Sequence, residues 1–386
     1  MKYGKYSKLS YCYFKSFREI LRLLLSMIFK WKKPLNNVDE VGCTVIIGMA
    51  SRLPYVLIAN LICLSSIDWT ELKKVNIAVD TTKGALPKKF EEHVKNKFPS
   101  LNIDFFYYNF LQAFLSEKFK LPYIFSWLSW CIGINNARTN CIFLHDYDAL
   151  VFGKSISIRY DRFKENRSIF QGIAFYNNNG IVLEDRIATT FEAFIDLKWC
   201  LSLKPIDIFN KVGKIKGRYV DFDTFLYAQS RLPIKGSIAV EHMDSHDLVH
   251  PTQMIHQYTM FRRYPSRKLP CYAIIILPFY NYLGGKEDAL LYAAENLTNS
   301  VGLVVDLIGD NTKFNLEMLT IEQVDWMLKN MIQASFLLKM KPYHDLIEYG
   351  IALYKKIQSP LDSIWLGDFT KEQRAWINEL YQPHSK

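Results

Sequence analysis

Residues 141–148, CIFLHDYD, set Cys141, Ile142, Phe143 and Leu144 against His145, Asp146, Tyr147 and Asp148. The first four have the composition of a buried strand, and residues 149–152 turn apolar again. Burying a carboxylate is costly unless a cation or hydrogen-bond donors receive it, so a strand ending in two of them is expected to end at an opening. On an extended segment residues two apart point the same way, so Asp146 and Asp148 are expected to converge while Tyr147 faces the other side. The triplet alone decides little, because a second one stands at Asp221 and Asp223. Its meaning comes from its place in the chain.

Working back from this strand, CTVIIGMA (43–50) reads as a buried strand and RLPYVLIANLICLSSI (52–67) as the helix after it. KVNIAVDTTKG (74–84) is a second strand, ending in Asp80, and PKKFEEHVKNKF (87–98) a second helix. NIDFFYYN (102–109) is a third strand, helical material runs from Phe110 to about Arg138, and CIFLHDYD is the fourth strand. Strands alternating with helices predict a parallel sheet covered on both faces, the α/β class. Ligands of such sheets bind beyond the carboxyl ends of the strands, where Asp80 and the Asp146/Asp148 pair fall.

Working forward, the strands look mixed. SIFQGIAFYNNNGIV (168–182) suggests a hairpin, 186–203 reads as helix, and RYVDFDTFLYAQSR (218–231) as a loop entering a helix. PIKGSIAVEHMDSHDLVHP (233–251) reads as a strand followed by a His-rich loop. After an apolar run, YAIIILPF, helices are expected near 286–298, 316–340, 342–357 and 370–381. The domain division that follows is a basic amphipathic helix over 1–38, a catalytic domain over 39–265 and a mostly helical region over 266–386.

The chain has 386 residues, 49% hydrophobic and 15% aromatic, enough to bury a large core. Its seven cysteines include no C-x-x-C pair, which suits reduced thiols in a cytosolic compartment. Of the formal charge of +10, residues 1–33 supply +8 from nine cations against Glu19. The remainder is close to neutral, which excludes a polyanion groove and hence a nucleic-acid partner. In the basic segment, Lys15, Glu19, Arg22, Ser26, Lys30 and Lys33 recur as a narrow polar stripe on a helix that Pro34 should stop. Its apolar stretch is too short to span a bilayer, so an amphipathic helix lying on an anionic membrane surface is expected. The other reading is a helix packed on the protein's own core with its lysines solvated.

Two hard oxygen ligands at one spot suit Mg²⁺ or Mn²⁺ shared with substrate phosphates. Just before the strand, SWCIGINNARTN offers Asn135 and Arg138 as polar groups delivered near it. In this order of elements, with NNAR leading into CIFLHDYD, the chain resembles the GT-A-fold glycosyltransferases, which use nucleotide-sugar donors. The resemblance covers roughly residues 42–258 in organisation, with specific residues confined to 135–148. The first strand lacks the proline and asparagine common in the large inverting families of that fold.

The resemblance implies a GT-A-like Rossmann-type mixed sheet and a metal-dependent transferase using a UDP- or GDP-sugar. It implies that Asp146 and Asp148 hold Mn²⁺ or Mg²⁺ and the donor diphosphate. Met49, Ala50, Ser51 and Arg52 would meet the nucleotide, Asp80 its base or ribose, and Asn135 and Arg138 would support the donor. The second triplet, in VDFDTFLYAQS, matches the acids of inverting members, with Asp223 as the base and Asp221 in reserve. Asp223 is equally placed to cap a helix. Metal-dependent members add a His, and His242, His246, His250 and His256 form half of the chain's eight histidines. His250 is the favoured ligand and His246 the next, and an imidazole ligand favours manganese.

Arg262 and Arg263 are candidate phosphate contacts, and YNNNG (176–180) a candidate sugar contact that reads as well as a plain turn. The implied acceptor is a glycan or lipid-linked glycan of bacterial surface polysaccharide synthesis, handled on the cytoplasmic, inner face of the cell membrane. Two alternatives stay open. One is a haloacid-dehalogenase-type phosphotransferase, although the triplet lies after three strand-helix units and is followed by Ala149-Leu150. The other is a degenerate, non-catalytic transferase that binds a partner.

Overall fold

The computed structural model describes residues 7–32, 40–119, 121–173, 187–215, 218–232, 238–241, 247–265, 267–339, 343–359, 367 and 369–380. Helix α1 (Lys8–Ile28) comes first, then β1 (Glu40–Met49), α2 (Pro54–Ser65), β2 (Leu72–Val79), α3 (Phe90–Lys97), β3 (Ile103–Tyr107), α4 (Phe110–Phe119), α5 (Pro122–Asn136) and β4 (Thr139–His145). They are followed by β5 (Leu150–Val151), α6 (Ser155–Glu165), β6 (Phe170–Ile173), β7 (Ala193–Asp196), α7 (Leu197–Ser202), β8 (Lys211–Ile215), β9 (Arg218–Phe222), α8 (Leu226–Gln229), β10 (Ile238–Glu241) and β11 (Leu248–Val249). The remainder holds α9 (Met254–Arg263), α10 (Leu277–Leu283), α11 (Ala289–Asn299), β12 (Val304–Val305), β13 (Phe314–Asn315), α12 (Ile321–Leu337), α13 (Tyr343–Lys356) and α14 (Lys371–Leu380).

The elements form two compact units that interleave along the chain. The first contains residues 1–52, 65–147 and 153–247, and the second residues 53–64, 148–152 and 248–386. The chain crosses from one to the other between Tyr147 and Asp148, inside the acidic triplet.

In the first unit seven strands form one mixed sheet in the order β10-β6-β7-β4-β1-β2-β3. β3, β2, β1 and β4 run parallel, with Ile47 of β1 level with Ile77 on one side and His145 on the other. β1 is central and almost wholly buried, which is why its sequence, CTVIIGM, is a continuous apolar run rather than an alternating one. α5 is apolar on nearly all sides and is correspondingly buried, its Trp127, Leu128, Cys131 and Ile134 packing in one core with Ile46, Ala78, Ile142 and Leu144. Trp127 places its indole N–H on the Pro205 carbonyl at 2.7 Å, and Asn76, buried in the sheet, donates to the Gly133 carbonyl at 3.1 Å.

Three expectations need correction. Residues 186–203 are not one helix: Ala193–Asp196 is strand β7, antiparallel between β4 and β6, and only Leu197–Ser202 is helical. Phe194 stacks on Phe143 with centroids 4.4 Å apart, and this contact together with two ladders overrides the local helical pattern. Residues 218–222 are not loop but strand β9, paired with β8 as an antiparallel hairpin, and the helix after it is the four-residue α8. The fourth strand ends at His145, so the acidic triplet occupies a turn and the extended-strand argument for its convergence does not apply.

α1 packs on the first unit's core through Leu21 and Leu25. Its Arg18 reaches Asp221 at 3.2 Å, and Arg22 donates to the Phe209 carbonyl at 3.1 Å. The helix is therefore seated on the protein with its arginines inward. Pro34 lies outside the described residues.

Among its described residues the second unit is helical apart from short ladders, β11 with β5 and β12 with β13. Tyr349 donates to the Ile275 carbonyl at 2.7 Å, and the Thr320 hydroxyl and Gln323 cap α12 reciprocally.

Gly133 packs closely on the sheet, and a Cβ added there would lie 2.2 Å from Ile46 Cγ2. Gly133→Ala is expected to destabilise the protein by about 1–3 kcal/mol, the cost of overpacking, despite the better helix propensity of Ala. In a denaturation double-mutant cycle with Ile46→Ala, the combined loss should be smaller than the sum of the single losses.

Candidate metal centre at the end of the fourth strand

Because β1, β2 and β4 run parallel, their carboxyl ends lie on one edge of the first unit's sheet. At the end of β1, Ser51 N–H donates to Asp80 Oδ1 at 2.8 Å, and Asp80 N–H donates to the Met49 carbonyl at 3.1 Å. The Tyr147 hydroxyl donates to the Ala50 carbonyl at 3.4 Å, tying the residue between the two acids to the same β1 end. Ala50, Ser51 and Asp80 are half-buried and Arg52 is exposed. The Met49 side chain is buried, so this residue presents only backbone at the edge.

The start of the acidic turn is anchored from beneath. His145 Nδ1 lies 2.6 Å from Glu192 Oε1, both side chains being essentially excluded from water. Arg159 donates to the Glu192 carbonyl, and its guanidinium sits over the rings of Phe143 and Phe194. His145 therefore serves the buried interior, and Asp146, the next residue, emerges half-buried at the edge.

In the second unit, Tyr280 Oη donates to the Asp148 carbonyl at 2.6 Å, and Asn60 Nδ2 donates to the Ala149 carbonyl at 2.8 Å. Burial and the nearby Asp148 charge push the Tyr280 hydroxyl well above its ordinary pKa, which keeps it a donor. The antiparallel ladder pairs Val151 with Leu248 and Leu150 with Val249, and so brings His250 across from Ala149. His250 Nε2 lies 3.4 Å from Asp148 Oδ1, with both residues 6% exposed.

The outcome is that one ligand atom each from Asp146, Asp148 and His250 lies within 4.8 Å of the others. Two ligands on opposite sides of an ion with bonds of about 2.1 Å are about 4.2 Å apart, so the spread suits one small divalent cation with little adjustment. Two carboxylates and an imidazole form a mixed hard and borderline donor set, which suits Mn²⁺ better than Mg²⁺. The near-complete burial of Asp148 points the same way, since a buried carboxylate needs compensating positive charge or donors.

His246, like His242 and the YNNNG stretch, lies outside the described residues. His256 is on α9, away from the turn in sequence and exposed to solvent. Arg262 and Arg263, in the last turn of α9, lie over the rings of Tyr258 and Tyr264.

Asn135 and Arg138 are not brought to the acidic turn. They precede β4 whereas Asp146 follows it, a separation of roughly 26 Å at about 3.3 Å per strand residue. Asn135 instead accepts the Lys32 N–H at 2.8 Å, and Arg138 is exposed at the opposite end of β4. Closeness along the sequence stood in for closeness in space, and the strand between them removes it.

Asp221 pairs with the buried Arg18. Asp223 Oδ1 accepts from Asn210 Nδ2 at 2.8 Å and from Thr224 N–H at 2.7 Å. It is not the cap of α8, a position taken by Phe225 in a left-handed conformation with φ of 65°. Asn60, Tyr280 and the His145–Glu192 pair were not singled out from the sequence. Asn60 had a signal, as an amide inside the apolar helix YVLIANLICL, while Glu192 was hidden by the helical reading of its segment.

No protein-family model and no curated protein sequence matches the chain. Among solved structures, residues 1–349 of TarS from S. aureus align with 81% of this chain and 90% of their own length, at a TM-score of 0.37 and 11% identity. The galactosyltransferase LgtC, solved with donor and acceptor sugar analogues, aligns over 43% and 62% at a TM-score of 0.33 and 14% identity. The mannosyltransferase PcManGT from Pyrobaculum calidifontis, solved with GDP-Man and Mn²⁺, aligns over 90% and 97% at a TM-score of 0.35 and 12% identity. These similarities are loose, and the reading of the site rests on this chain's own residues. What they report is that the chain is similar in structure to TarS and to a galactosyltransferase and a mannosyltransferase.

Proposed function

We propose that the protein is a metal-dependent, inverting glycosyltransferase that moves a sugar from a UDP- or GDP-sugar to a glycan or lipid-linked glycan acceptor. The observation that supports this most is the convergence of Asp146, Asp148 and His250 at the end of β4. The acceptor belongs to bacterial surface polysaccharide synthesis, and residues 1–33 hold the protein on the anionic cytoplasmic face of the membrane.

Asp146, Asp148 and His250 are the residues that would hold Mn²⁺ or Mg²⁺. When bound there, the ion neutralises charge developing on the departing nucleoside diphosphate. Asp80, oriented by the Ser51 N–H, accepts donor hydroxyls, and the exposed Arg52 lies at the same β1 end. The backbone of Met49, Ala50 and Ser51 forms the wall against which the nucleotide lies. Asp223 takes the proton of the acceptor hydroxyl as that oxygen bonds to the anomeric carbon and the bond to the diphosphate oxygen breaks. Asn210 and the Thr224 N–H, both donating to Asp223, hold it in place. Asp221, paired with Arg18, has a supporting part.

Incubation with UDP- and GDP-sugars and Mn²⁺ should release the nucleoside diphosphate. Asp148→Asn should lower this turnover by about 100-fold or more, equivalent to about 3 kcal/mol of lost charge stabilisation, while the thermal melt shows a folded protein. Activity unchanged in that variant would remove the metal centre from the reaction, and a trapped aspartyl-phosphate would indicate a phosphotransferase instead.

His250→Ala should weaken Mn²⁺ binding, measured calorimetrically, by at least the roughly 10–100-fold that groups merely supporting a ligand contribute. Asp223→Asn should lower kcat for transfer about 10²–10⁴-fold with Mn²⁺ binding unaltered. A transfer rate equal to that of the wild type would show that Asp223 is not the base.

A further inference from the structure

Helix α1 turns its cationic side chains and its apolar ones in unexpected directions. Arg18 and Arg22 are buried with Leu21 and Leu25 against the protein. Leu9, Tyr13, Ile20, Leu23, Leu24 and Met27 are exposed, Leu9 at 85% and Leu23 at 67%. At about 100° per residue these six fall within an arc of about 100°, roughly opposite the buried arginines. The helix thus shows one apolar face to solvent while the other is already seated on the core.

A second element adds exposed apolar groups next to the end of this helix. Gln112 of α4 donates to the Ile28 carbonyl at the end of α1 at 3.2 Å, so the start of α4 lies beside the end of α1. There Phe110, Leu111 and Phe114 are exposed, and the rings of Phe110 and Phe114 stack with centroids 6.3 Å apart. Exposed lysines accompany the apolar groups: Lys8 and Lys15 on α1, Lys30 and Lys32 just after it, and Lys118 on α4, its Nζ 5.8 Å from the Phe114 ring centroid. The acids nearest in sequence are Glu19 and Glu117.

We propose that this two-helix face, and not the arginine side of α1, docks the protein on an anionic lipid surface. The proposal rests on the membrane-side reading above and assigns the surface that carries it out. Apolar and aromatic groups with cations beside them suit the boundary between lipid headgroups and acyl chains. Among the described residues no helix is long and apolar enough to cross a membrane, so contact from one side is the geometry that fits this face. A second copy of the chain fits less well. In an antiparallel self-pairing of α1, Lys8 and Lys15 would meet Lys30 and Lys32, placing like charges together.

The test is co-sedimentation of the full chain with vesicles of phosphatidylcholine plus phosphatidylglycerol, against phosphatidylcholine alone. Leu23→Ser/Met27→Ser and Phe110→Ser/Phe114→Ser should each lower partitioning by about tenfold or more, because each removes two inserting side chains. Val301→Ser, at an exposed residue elsewhere, should leave it unchanged. Mn²⁺-dependent donor hydrolysis without vesicles should be the same in all three variants and the wild type, separating this surface from the reaction. Wild type that ignores anionic vesicles overturns the membrane-side reading itself. Wild type that binds, with both double variants binding equally well, overturns the assignment of this face and leaves the membrane reading standing. A dimer in light scattering that the double variants dissociate points to a second copy and overturns the lipid proposal.

Discussion

A carboxylate that is 6% exposed has to be accommodated by its surroundings, and Asp148 is such a group. Isolated in a low-dielectric interior it would cost far more than the marginal stability of a domain can absorb. The fold supplies His250 at 3.4 Å. Asp146 brings a further acid within 4.8 Å. Two carboxylates this close repel unless a positive charge lies between them. A divalent cation held among Asp146, Asp148 and His250 would relieve that repulsion.

The turn itself is tightly set. Its backbone carbonyls at Asp148 and Ala149 accept from Tyr280 and Asn60, and the β5–β11 ladder fixes the register that delivers His250. Upstream, His145 is clamped to Glu192, which itself adopts a left-handed φ of 51°. A non-glycine residue holds that conformation only where tertiary contacts over-determine it. Here the Arg159 guanidinium, the His145 imidazole and the strand β7 that Glu192 precedes do so. Precision at a ligand cluster comes from such supporting shells, because first-contact side chains on a bare loop would wander by more than an ion tolerates.

Much of this was legible in the sequence. The parallel core β1, β2, β3 and β4 was readable because central strands of a parallel sheet are continuous apolar runs, and the alternation with helices left one topology class. Asp146, Asp148 and His250 were readable as candidate ligands because hard oxygen and imidazole donors are few in kind. The antiparallel β7 was not, since its four residues, AFID, gain their strand character from ladders to β4 and β6 and from Phe194 lying on Phe143. The placing of Asn135 and Arg138 failed for a geometric reason. Groups before a strand and groups after it share a sequence neighbourhood but occupy opposite edges of a sheet.

The two D-x-D triplets show how little a pattern decides before its surroundings are known. In the second, Asp221 faces the guanidinium of Arg18, which is 8% exposed on the seated side of α1. Removing that acid would leave a buried cation poorly compensated, so Asp221 acts as an anchor for the helix. Two residues on, Asp223 receives an amide and a backbone N–H on one oxygen, an arrangement that orients a carboxylate without cancelling its charge. In the first triplet the acids share one cluster, while in the second they divide, Asp221 toward the helix and Asp223 toward Asn210 and the Thr224 N–H. Identical spacing thus yields a cluster of candidate ligands in one place and, in the other, an anchor beside a carboxylate held by an amide and a backbone N–H. What separates them is the neighbour each carboxylate meets: a histidine and a second acid at the turn, an arginine and an asparagine at the hairpin.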